Sequence, residues 1–104
     1  MEKHKNPTKS AILQFLSQEK EQFEARFRIA KIGLFGSYAL GEETEHSDID
    51  ILVEFYPNTE NLSEIKSSLK QFIKTAFEKE VNIAREKYLK PYFREQILRS
   101  AIII

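Results

Sequence analysis

The 104-residue chain contains no cysteine. Disulfides and thiolate metal sites are therefore excluded. It also lacks a long hydrophobic run, and the start MEKHKNPTKS has no apolar stretch of the kind a signal peptide or membrane span requires. A cytoplasmic location is the expectation. Charge of one sign is missing as well, since sixteen Lys and Arg residues cancel sixteen Asp and Glu to a formal net charge of zero. No global positive field attracts a nucleic-acid backbone, and tight sequence-independent binding of DNA or RNA is not expected. Repeats, low-complexity tracts and linkers are absent too. What remains is the length of one domain, residues 1–104, able to bury roughly 60% or more of its unfolded surface without staples.

Apolar spacing outlines the scaffold. From Lys9 to Phe27, residues Ile12, Phe15, Leu16, Phe23 and Phe27 recur at helical intervals behind a Pro7-Thr8 start. A second helix has Asn61 in the capping position, Glu64 three later, and a stripe of Leu62, Ile65, Leu69, Phe72, Ile73, Ala76 and Phe77. Aromatics on such a stripe belong to a core rather than to a base-stacking platform. Strands are expected at Lys31 to Phe35, at the run opened by Asp48 and Asp50, and at Glu80 to Ala84, with Pro57-Asn58 as the turn after the second. Pro91 suits the first turn of a short helix through Leu98, with Phe93 and Ile97 facing inward. Ala101 to Ile104 then reads as a closing strand. Such an apolar edge is an aggregation liability unless it lies against the sheet or a partner chain.

The chemistry is concentrated between Ile32 and Phe55, in IGLFGSYALGEETEHSDIDILVEF. Asp48 and Asp50 alternate at the start of a strand, which puts both carboxylates on one face. With α-carbons roughly 6 to 7 Å apart, they can share hard divalent cations such as Mg²⁺. The alternative is that they are ordinary strand-start residues, with Ser47-Asp48 forming a turn. An EF-hand loop is ruled out by Ile51 and Leu52, where it needs glycine and further oxygens. Upstream, a short strand stops at Gly36-Ser37 before Tyr38-Ala39-Leu40, which suits one helical turn. Backbone N–H groups at such a junction bind phosphate, and Ser37 adds a hydroxyl. A plain turn with Ser37 as N-cap is the other reading. No Walker A loop is present, because no Lys-Ser or Lys-Thr follows.

Ten residues separate Ser37 from Asp48. Gly-Ser, ten residues and Asp-x-Asp resemble the signature of the DNA polymerase β-like nucleotidyltransferases. Within them the chain is most similar to the minimal nucleotidyltransferase (MNT) antitoxins paired with HEPN toxins, through LFGSYA, SDIDILVEF and the late segment VNIAREKYLKPYFREQIL. The resemblance runs from about Lys31 to the C-terminus. It implies an α/β (α+β) fold, a small mixed sheet with helices packed on it. It further implies that Gly36 and Ser37 hold a nucleoside triphosphate, that Asp48 and Asp50 ligate Mg²⁺, and that AMP passes from ATP to a tyrosine of a HEPN ribonuclease toxin.

Two positions depart from the pattern. Asn82 stands where the family places a third catalytic carboxylate, and it offers a carbonyl oxygen but no charge and no base. Leu40 stands where relatives carry arginine, which removes a cation from the phosphates. Glu80 shares a strand face with Asn82 and either substitutes in part for the missing carboxylate or is an exposed strand-start residue. The rival functional reading keeps the partner and drops the chemistry: an antitoxin that neutralises its toxin by binding alone. Lys87, Lys90, Arg94 and Arg99 form either a local basic patch or a solvated helix face.

Overall fold

Thr8 starts the first helix. Its backbone is extended and its Oγ1 accepts the N–H of Ala11 at 3.0 Å, opening α1 over Lys9–Gln18. A computed structural model describes residues 6–104; residues 1–5, half of the polar start read as carrying no leader, lie outside the described residues. The single helix expected through Phe27 divides at Glu19, where ψ is 12° and the N–H is shared by the carbonyls of Phe15 and Ser17. Helix α2, Lys20–Phe27, follows directly. Neither glycine nor proline marks this break. The backbone tightens for one residue, and Leu16 and Phe23 on either side both stay buried.

The remaining elements are β1 (Ile29–Phe35), α3 (Gly36–Leu40), β2 (Ile49–Phe55), α4 (Leu62–Phe77), β3 (Val81–Arg85), a 3-10 turn at Glu86–Tyr88, α5 (Pro91–Ser100) and β4 (Ile102–Ile103). They build one mixed sheet in the order β3-β2-β1-β4. Strand β1 pairs antiparallel with β2 and β4, while β2 and β3 are parallel, so α4 is the crossover between them. The α/β class and the closing strand follow the sequence reading.

Register sorts the side chains into two faces. Ile32 pairs with Val53 and Leu34 with Ile51, and Ile49 pairs with Val81, so these six share one face. They are buried with Ile12, Leu16, Phe23, Leu69 and Ile73 of the helices. Phe15 and Phe72 close this core, their rings 5.8 Å apart. The opposite face carries Phe35, Asp50 and Asn82 in one row. Gly33 sits in β1 where a Cβ would come within 2.7 Å of Ile102 O. A side chain there would push β4 off the sheet.

Three local expectations need correction, and the open reading of the basic cluster is narrowed. Asn61 occupies the N-cap position of α4 in a left-handed conformation (φ 59°) and makes no capping bond. An N-cap side chain reaches N2 or N3 from an extended backbone, and this one is turned away. Ala76 is exposed, lining an open groove with Phe15, Phe72 and Thr75. Phe93 is exposed and stacks on Tyr92 at 4.3 Å instead of facing inward, since α5 buries none of its residues fully. The basic cluster is partly neutralised: Arg94 pairs with Glu86 at 3.4 Å and Arg99 with Glu95 at 3.3 Å.

Candidate active site

Register brings together what the sequence separates by ten residues. Phe35, the last residue of β1, is the partner of Asp50 in β2, and Asp50 is in turn the partner of Asn82 in β3. The Gly36-Ser37 junction therefore lands beside the aspartates. The loop between them is short and tied down from within and without: Thr44 N–H donates to Ser47 Oγ at 2.8 Å, and Lys79 Nζ, from the turn before β3, donates to the carbonyl of Glu45 at 2.9 Å. Its turn runs from Thr44 to Ser47, so Ser47-Asp48 is not the turn that the alternative reading required. Asp48 is left exposed just before the strand and Asp50 is half-buried within it.

Gly36 is required twice over. Its φ is +77°, which an L side chain adopts with strain, and a Cβ would overlap Asp50 Oδ2 and stand 3.0 Å from Asp50 Cγ. Backbone and carboxylate approach closely here because there is no side chain between them. Gly41 closes α3 at φ +74° with open space around it. Gly36→Ala is therefore expected to cost roughly 1 to 3 kcal/mol from backbone strain alone, with a further loss from displacing Asp50. Gly41→Ala should lose only the strain. Thermal melts of the two variants decide this, and equal drops in Tm would remove the Asp50 contact from the explanation.

The N-cap of α3 is Phe35, which has no side-chain bond to give, and Ser37 lies inside the first turn. The reading of Ser37 as the N-cap is thereby overturned. The N–H groups of that turn have no intrahelical acceptor, so they and the Ser37 hydroxyl are available to an anion. Tyr38 is fully buried and pins α3 to the core; its hydroxyl has no hydrogen-bond partner among the described residues. Burial, and secondly the charge of Glu43, push its pKa up. Leu40, at the end of α3, is exposed.

Asn82 has a role that sequence reasoning missed. Its Nδ2 donates to Asp48 Oδ2 at 3.2 Å and to Asp50 Oδ1 at 3.0 Å, bridging the two carboxylates. Two acceptors can be satisfied only by the NH₂ side of the amide. The signal was available in principle, since Asn82 is one strand away from Asp50 once β2 and β3 are taken as parallel. Burial raises the pKa of Asp50, the Asn82 bond lowers it and the charge of Asp48 raises it. Glu80 does not join them. Its carboxylate is 2.8 Å from Lys74 Nζ, and that bond and charge lower its pKa.

The donor set fits a hard divalent cation. Asp48 and Asp50 present oxygens with excess negative charge between them, and a half-turn of the Asn82 amide replaces its NH₂ by a carbonyl oxygen. Among the described residues no three Asp, Glu or His side chains come together, which follows from having asparagine at the third position.

A family model described as a nucleotidyltransferase domain matches residues 16–104. The chain belongs to this family. The protein adenylyltransferase MntA of Thermococcus cleftensis is 31% identical over 97 residues, covering 93% of this chain and 96% of that protein. A solved structure of a candidate minimal nucleotidyltransferase superposes with a TM-score of 0.74 at 31% identity, covering 92% of this chain and 95% of the other. A toxin-antitoxin structure with AMP-PNP superposes with a TM-score of 0.63 at 22% identity, covering 93% and 72%, and shares the fold. In this nucleotidyltransferase domain the Gly36-Ser37 junction and the strand carrying Asp50 meet at one end of the sheet.

Proposed function

We propose that this nucleotidyltransferase is an antitoxin that transfers AMP from ATP to a tyrosine of a HEPN-type ribonuclease toxin, silencing it. One observation carries the reading: Gly36 follows Phe35, the register partner of Asp50, and lies at a sheet end directly against the Asp50 carboxylate, itself two residues along the chain from Asp48. The MntA relative is a protein adenylyltransferase, and the fold is shared with a toxin-antitoxin structure that holds AMP-PNP. The cytoplasm, where ATP and RNA are found, is the compartment this reading requires; among the described residues no helix is long and apolar enough to cross a membrane.

In this scheme the α3 N–H groups and Ser37 cradle the triphosphate. Asp48 and Asp50 would hold Mg²⁺, which when bound would supply neutralisation of the charge on the transferring phosphoryl group. The tyrosine oxygen attacks the α-phosphorus, the bond from that phosphorus to the bridging oxygen breaks, and pyrophosphate leaves. The phenolic proton passes to water, because Asn82 cannot accept it. Catalysis rests on positioning and electrostatics.

The second reading, neutralisation by binding alone, has its own supporting observation. The Asn82 amide bridges the two carboxylates that would hold a cation. Intact-mass measurement of the toxin after incubation with this protein, ATP and Mg²⁺ separates the two. Transfer predicts a gain of whole AMP units that disappears when a chelator removes the metal. An unchanged toxin that still co-elutes with this protein sinks the transfer reading and leaves the binding one.

A further inference from the structure

Two chain segments run side by side into the site: residues 44–48, which lead into β2, and residues 78–80, which lead into β3. Two bonds tie them together. Ile49 N–H donates to the Glu80 carbonyl at 2.9 Å, at the entrance of the parallel pairing. Lys79 Nζ donates to the Glu45 carbonyl, also at 2.9 Å. Asp48 lies between Glu45 and Ile49, so the two ties bracket it. Asp48 itself stands outside the ladder, exposed, one residue before β2 begins. Among the described residues its carboxylate accepts one hydrogen bond, from Asn82 Nδ2. A cation between the carboxylates repels that NH₂ group, so metal binding breaks the bond and leaves Asp48 to the ties on either side. Lys79 is placed to hold one of them. It is half-buried, and its ammonium meets neutral acceptors, the Glu45 carbonyl and Asn6 Oδ1 at 3.4 Å, while the adjacent Glu80 carboxylate pairs with Lys74. A charge-assisted bond of this kind is roughly twice as strong as a neutral one.

We propose that Lys79 is a positioning residue for the metal site: by clipping the Glu45 carbonyl to the turn before β3, it fixes where the Asp48 carboxylate stands once Asn82 has released it. The inference rests on the proposed function only in that Asp48 and Asp50 would hold a cation. Its direction separates it from plain electrostatics. An ammonium near a cation site repels the cation, so removal of the Lys79 charge alone would tighten metal binding. Loss of the clip acts the other way. The loop that carries Asp48 would then have to be ordered at the moment of binding, and that entropy is subtracted from the affinity. Groups that orient a metal-holding side chain from behind typically contribute about 10- to 100-fold in metal affinity. The carbonyl of Glu45 acts on Asp48 through only three residues of chain, which keeps the lever short.

The test is a titration of the full chain with Mn²⁺, without nucleotide, followed by electron paramagnetic resonance. Lys79→Met keeps the length of the side chain and removes its donors; it is expected to weaken Mn²⁺ binding about tenfold. Lys79→Arg can donate to the same carbonyl and should bring the affinity back to that of the wild type. Lys74→Met is the control, since it removes a neighbouring charge and the pair with Glu80 but no tie to the loop. Unchanged or tighter Mn²⁺ binding by Lys79→Met overturns the proposal, as does a failure of Lys79→Arg to restore it. An equal loss in Lys74→Met also overturns it, because the general stability of the turn would then be the cause. Failure of the transfer reading looks different. A Lys79 effect on Mn²⁺ with no gain in toxin mass ends transfer and leaves the clip in place, whereas a wild type that binds no Mn²⁺ ends both.

Discussion

Replacing Asp48 and Asp50 together with alanine is expected to lower the proposed AMP transfer by at least about 10³-fold, because both carboxylates that would hold the metal go at once. The same variant should melt higher than the wild type in the absence of metal. Asp50 is half-buried beside Asp48, and its raised pKa means that folding favours its protonated form. The ionised carboxylate therefore costs stability above its folded-state pKa. That cost fades as pH falls toward the unfolded-state value, so the Tm gap between variant and wild type should narrow on acidification. Cell survival supplies the functional readout. If the variant still rescues cells expressing the toxin, neutralisation proceeds by binding, and transfer is not what silences the toxin.

Asn82→Asp is expected to act in the opposite direction. A carboxylate at this place restores a general base and a third anionic ligand, and a catalytic base is typically worth about 10² to 10⁴ in rate. The cost falls on the metal-free protein. The amide that now donates to Asp48 and Asp50 would be replaced by a third negative charge, so Tm should fall without Mg²⁺ and recover when Mg²⁺ is added. Calorimetric titration should show tighter Mg²⁺ binding alongside the faster transfer. Unchanged Mg²⁺ affinity and an unchanged rate in Asn82→Asp would show that position 82 lies outside the chemistry.

Much of this was legible in the sequence, for identifiable reasons. The continuous apolar run Ile51 to Val53 and the i, i+3, i+4 stripe of α4 are patterns that burial enforces. Pro91 and Thr8 mark helix starts through local chemistry that needs no tertiary context. The Asp-x-Asp strand and the glycine junction were likewise readable, because each depends on neighbours along the chain. What escaped depends on neighbours across it. The break at Glu19 has no glycine or proline to announce it. Asn61 suits a cap by residue type, but capping is a matter of φ and ψ, and asparagine tolerates the left-handed region it occupies. Phe93 fits a helical stripe that finds no wall to pack against. The Asn82 bridge could not be seen before the parallel pairing of β2 and β3 was known.

That parallel pairing also bears on how the site is assembled in time. Gly36 and Asp50 meet across an antiparallel pair closed by a short loop, whereas Asn82 reaches Asp50 across 32 positions of chain. Closing the longer segment costs more conformational entropy, and α4 must be in place to direct it. The half of the site that carries the Gly36-Ser37 junction and Asp50 is thus a local unit. The half that bridges them arrives with the crossover. A lesion in α4, far from any reacting atom, would loosen β3 and uncouple Asn82 from Asp48 and Asp50.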